Sequence, residues 1–165
     1  MPTPKDFKKN LNRNKLTGEM LGAAAYSANK RAKNYRNKAQ EYYCQGVQNR
    51  DWGIYDKYSF PNAADARFKK QEFYKMKSKL LALLEPVCVH RVEFDECVNF
   101  FFLYEIGGYS FHCPIDEETA LSSGLQIIEI DELYNDGEDI NELVSVDFIK
   151  KVIALIESGN YTYEN

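Results

Sequence analysis

Two histidines and four cysteines are the side chains of this 165-residue chain best suited to chemistry, and five of the six fall within one stretch. Cys88, His90 and His112 lie within residues 87–114, VCVHRVEFDECVNFFFLYEIGGYSFHCP, a stretch that reads as three β-strands folded back at Asp95-Glu96 and Gly107-Gly108. Hairpins centred on those turns place residue 88 opposite 103, and 103 opposite 112. Alternation along the strands then sends Cys88, His90 and His112 to one face and Cys113 to the other. Zinc accepts such mixed sulfur and nitrogen ligands, so Cys88, His90 and His112 form the candidate metal set. A closed structural site needs four ligands, however, and Leu103 separates Cys88 from His112 in this register. Buried thiols and a hydrogen-bonded core histidine are the alternative, and that reading needs no cofactor.

Other chemistries find less support. A cysteine nucleophile requires a positioned base and an orienting third group, and no such set, P-loop or G-x-G-x-x-G is present, which points to a protein that is not an enzyme. The acidic run 131–142, with Asp131, Glu132, Asp136, Glu138 and Asp139, resembles a calcium loop only superficially. Setting Gly137 at the sixth loop position puts Tyr134 at the third and Leu143 at the twelfth, where oxygen ligands are required. A solvated acidic loop or a DNA-mimicking surface accounts for it instead. Opposite in sign, Lys30, Arg31, Lys33, Arg36 and Lys38 lie in NKRAKNYRNKAQEYY, whose cations suit phosphates and whose tyrosines suit stacking on bases.

These residues must be carried by recognisable elements. Thr3 and Pro4 open a short basic segment over 5–11, and a long helix is expected over 17–45 with Gly46 as its stop. Its Leu21, Ala25, Ala28, Ala32, Tyr35, Ala39 and Tyr42 follow the spacing of a coiled-coil seam. In the connection 47–61, Trp52, Tyr55 and Phe60 are expected to pack back as anchors. A second helix capped by Asn62 then runs toward Pro86 with Ala66, Phe73, Met76, Leu80 and Leu83 on one face. After the three strands come a short helix over 116–122, a fourth strand over 125–130, and a final helix. Ser145 caps that helix, Gly159 ends it, and Phe148, Ile149, Val152, Ile153 and Ile156 form its apolar stripe. The expected fold is α+β: a basic N-terminal helical hairpin, then a mostly antiparallel sheet of about four strands with a C-terminal covering helix. Residues 1–85 would form the basic arm and 86–165 the acidic domain.

Charge supports that division. Residues 1–85 hold 18 Lys and Arg against 8 Asp and Glu, whereas residues 86–165 hold 3 against 17. Such segregation points to a charged partner, to head-to-tail self-association, or to mutual neutralisation within one fold. No apolar run approaches the roughly 18 residues that cross a bilayer, and the irregularly spaced cysteines read as reduced thiols in a cytoplasm.

A short Tyr-, Asn- and Lys-rich chain with a basic helical first half, an acidic α+β second half and no catalytic motif resembles accessory proteins of phages and other mobile elements of Gram-positive bacteria. It is similar in organisation to the small anti-CRISPR inhibitors of type II systems. That resemblance implies a bacterial cytoplasmic location and stoichiometric binding to a host RNA-guided nuclease or its guide-RNA complex, blocking the loading of target DNA. The alternative is a nucleic-acid-binding regulator or packaging accessory of the same element.

Overall fold

A computed structural model of the chain describes residues 4–133 and 143–164. The longest element is helix α2, Gly18–Asp51, preceded by α1, Pro4–Asn12, and a short strand β1, Lys15–Thr17. Thr17 starts α2 by accepting a hydrogen bond from the Met20 amide at 3.2 Å, the role its side chain suits at an N-cap. From Gly18 to Ala32 this helix is enclosed on nearly every side, whereas beyond Ala32 only Ala39 and Gly46 are buried. The expected stop at Gly46 is not a stop. A Cβ there would lie 2.9 Å from the Phe60 ring, so the glycine serves close approach of the next helix, and α2 continues for five more residues.

Helix α3, Ser59–Leu81, returns antiparallel along α2 and starts three residues before Asn62, the expected cap. Asp56 takes that role: its carboxylate accepts from the Tyr58 amide at 3.0 Å, the Ser59 amide at 3.1 Å, the Ser59 hydroxyl and Asn49 Nδ2 at 2.8 Å. Pro61 falls in the first turn, where its missing N–H leaves no helical bond unmade. The buried stripe of α3 runs through Ala63, Ala66, Phe73, Lys77 and Leu80; Leu83 is exposed rather than on the packed face.

Strands β2, Cys88–Phe94, β3, Cys97–Ile106, and β4, Tyr109–Ile115, form the expected antiparallel meander, with Cys88 opposite Leu103 and Leu103 opposite His112. Both central residues of each hairpin turn have positive φ: Gly107 and Gly108 at 58° and 83°, Asp95 and Glu96 at 50° and 65°. That conformation matches the twist of the paired strands. Helix α4, Glu117–Ser122, carries the chain to the far edge, where β5, Ile127–Ile130, pairs parallel to β2. The sheet order is β4-β3-β2-β5, and helix α5, Val146–Ser158, follows. Strand β6, Thr162–Glu164, then lies parallel to β1, and Lys15 and Glu164 pair at 2.6 Å. The fold is therefore the expected α+β arrangement, with a mixed sheet.

Its main core draws on both halves of the chain. Leu16, Met20, Leu21, Ala24, Ala25 and Ala28 pack with Leu80, Ile106, Phe111, Ile149 and Val152, so a boundary at 85/86 does not separate two cores. A smaller cluster of Val89, Phe100 and Ala120 fixes α4 against the sheet. No described helix is long and apolar enough to cross a membrane.

Candidate functional site

The register brings His90 and His112 together as the alternation requires. His90 Nδ1 and His112 Nε2 are 2.8 Å apart, one ring donating to the other across β3, with the rings tilted by 37°. Phe101, opposite His90 in register, meets His112 edge-on at 6.2 Å. Holding zinc would require this bond to break, because the two facing nitrogens already share a proton. Cys88 is buried, and burial together with the charge of Glu105 pushes its thiol up, away from the thiolate a metal needs. Cys113 belongs to the opposite face, against the main core; burial raises its thiol as well, while the charge of Lys77 draws it partly back. Among the described residues no three His, Cys, Asp or Glu side chains converge. The same raised thiols are poor nucleophiles.

Four of the five basic candidates divide between two sites, and Lys30 lines neither. Lys33 and Arg36 line a cleft of about 620 Å³ between α2, α3 and the edge strand β4, together with Tyr74, Lys77 and His112. Lys77 is buried there and donates to the His112 carbonyl at 3.0 Å, so it ties α3 to β4. Arg31 and Lys38 line a neighbouring depression with Tyr35 and Phe73. Tyr35 and Phe73 stack at 5.8 Å, and Lys38 and Lys69 stand 5.4 Å and 5.6 Å from the Tyr35 ring centre. Tyr35 therefore packs on the seam as expected, and its ring is already covered. Arg31 and Lys30 are half-buried, whereas Arg36 and Lys38 are exposed. Of the acidic candidates, Asp131 and Glu132 are exposed; Asp136, Glu138 and Asp139 lie outside the described residues.

Two features escaped sequence reasoning. Met76 packs against the main core as expected, but Lys77 beside it was overlooked, although residue 77 keeps three- and four-residue spacing with Leu80 and Phe73. The second is the connection between α2 and α3. Trp52 and Tyr55, expected to pack back, project into solvent, and Phe60 alone of the three anchors meets a neighbouring ring, Tyr43 at 5.8 Å. No family model, curated protein or solved structure matches the chain.

Proposed function

We propose that this protein acts by stoichiometric binding and performs no chemistry of its own, its partner being a host RNA-guided nuclease or that nuclease's guide complex. The observation that carries the reading is the shape and charge of the hairpin. Beyond Ala32, α2 and the first half of α3 form an arm that buries little more than its own seam and presents Arg36, Lys38, Arg50 and Arg67 to solvent. A rigid cationic arm suits guide RNA or an acidic protein face, and the acidic half offers Asp131 and Glu132 to a basic DNA channel. The raised Cys88 and Cys113 thiols, poor nucleophiles, fit a binding role.

The test is DNA cleavage by a purified type II nuclease–guide complex titrated with the protein. Inhibition should reach its end point near one equivalent, with co-elution of the two on gel filtration. Unchanged cleavage without co-elution would reject the reading. Reversing Arg36, Lys38 and Lys75 to glutamate should weaken inhibition without lowering the melting temperature much, since exposed charges add little to folding. Arg31 is left out of that variant because its Nη1 is buried. A nucleic-acid-binding regulator or packaging accessory is the competing assignment. It predicts nucleic-acid binding with neither inhibition of cleavage nor co-elution with the nuclease complex.

A further inference from the structure

The distal end of the hairpin turns through residues 52–58, WGIYDKY, and leaves its large side chains in water. Trp52 is 68% exposed, Ile54 51%, Tyr55 87% and Tyr58 65%. Four such side chains on one short connection forgo the roughly 25 cal/mol per Å² that burial would return, and contiguous exposed apolar surface marks an interaction site. The tip is also held in place. Asp56 ties Asn49 of α2 to the Tyr58 and Ser59 amides, and the Ile54 amide donates to the Asn49 carbonyl at 2.8 Å. Among the described residues neither Trp52 nor Tyr55 stacks on another ring.

Lys57 lies 5.2 Å from the Tyr58 ring centre, and further along the hairpin Arg67 of α3 lies 5.6 Å from the ring centre of Tyr43 in α2. Arg50 ends α2 one turn away. The anions at the tip are engaged, Asp51 beside Arg50 at 3.7 Å and Asp56 turned into the loop. Rings set beside cations suit the faces of unpaired bases and the phosphates between them.

We propose that this tip is a stacking platform for a single strand of nucleic acid. Unpaired bases lie on Trp52, Tyr55 and Tyr58 while Arg50, Lys57 and Arg67 neutralise the adjoining phosphates. DNA and RNA share these groups, so both sugars are accepted. A duplex keeps its bases stacked within itself and leaves the rings unoccupied. The proposal stands apart from nuclease inhibition, because it is read with the protein alone and either result can fail without the other.

Trp52 is the sole tryptophan, so its fluorescence reports the tip directly. Short oligothymidylate and oligouridylate should each quench it saturably, and a duplex of the same length should not. With three phosphates neutralised, log K should fall against log salt with a slope of about −2, at roughly −0.7 per phosphate on a single strand. Tyr55→Ala and Tyr58→Ala, both at exposed positions, should each weaken binding about five-fold or more, the low end of a stacking contact. Lys150→Glu, on exposed α5, should leave binding unchanged. Absence of quenching up to about 100 µM strand at low salt, the weak limit of non-specific binding, would overturn the proposal. So would equal quenching by duplex, retention of full affinity in both tyrosine variants, or a Trp52 signal that responds only to protein concentration, which would mean self-association.

Discussion

Gly107 is the residue on which the helical and sheet layers meet most closely. Its φ of 58° already excludes most side chains, and a Cβ would lie 2.8 Å from the Gly18 carbonyl at the start of α2. Backbone cannot swing aside as a long side chain can, so Gly107→Ala should cost about 2 kcal/mol or more, measured by chemical denaturation. Glu96 occupies the same left-handed region without that contact. Glu96→Gly should therefore stabilise by about 0.5–1 kcal/mol in the same measurement, since glycine relieves the Cβ clash in a turn position. The thiols separate by environment: Cys44 and Cys97 are exposed, Cys88 is buried, and Cys113 is partly covered. Burial raises the latter two, so alkylation at pH 8 followed by mass spectrometry should label Cys44 and Cys97 first and reach Cys88 and Cys113 only on unfolding.

Among the elements, the α2–α3 hairpin depends on a residue that belongs to neither helix. Asp56 accepts hydrogen bonds from the Ser59 hydroxyl, the Tyr58 and Ser59 amides and Asn49, and these hold its carboxyl well below the usual carboxylate range. A folded-state pKa lowered in this way means a contribution to stability that is fully present above the ordinary carboxylate pKa, about 3.9. It is lost as pH falls below that value toward the folded-state pKa. Asp56→Ala should fray the first turn of α3, speed amide exchange at Tyr58 and Ser59 at neutral pH, and remove that part of the acid dependence. Asn62→Ala should do none of these, because Asn62 follows the first helical turn instead of preceding it.

For the whole molecule, the decisive fact is a core shared between a basic first half and an acidic second half. Ile106, Phe111, Ile149 and Val152 are buried against residues of α2 and against Leu16 and Leu80, so residues 86–165 alone would expose them. That fragment should show no cooperative thermal transition, whereas the full chain should melt as one unit; differential scanning calorimetry distinguishes the two. Limited proteolysis of the full chain should cut within residues 52–58, where backbone is irregular and side chains are exposed, before it cuts any strand of the sheet.

Local patterns in the chain were enough to establish the elements, the paired strands β1 and β6 excepted. Ser145 and Gly159 bracket α5, Thr17 starts α2, and the Gly107-Gly108 turn sets the register that unites His90 with His112, because caps and turns are short-range interactions between residues a few positions apart. Other outcomes depended on contacts between residues far apart in sequence. Gly46 looks like a helix stop until Phe60 packs over it, Lys77 looks like a surface cation until β4 supplies an acceptor, and Trp52 looks like an anchor until the helices leave it nothing to pack against. Whether a side chain is covered is a property of the neighbours that three-dimensional packing brings to it. Periodicity can name a face of a helix, but only tertiary structure decides what lies on that face.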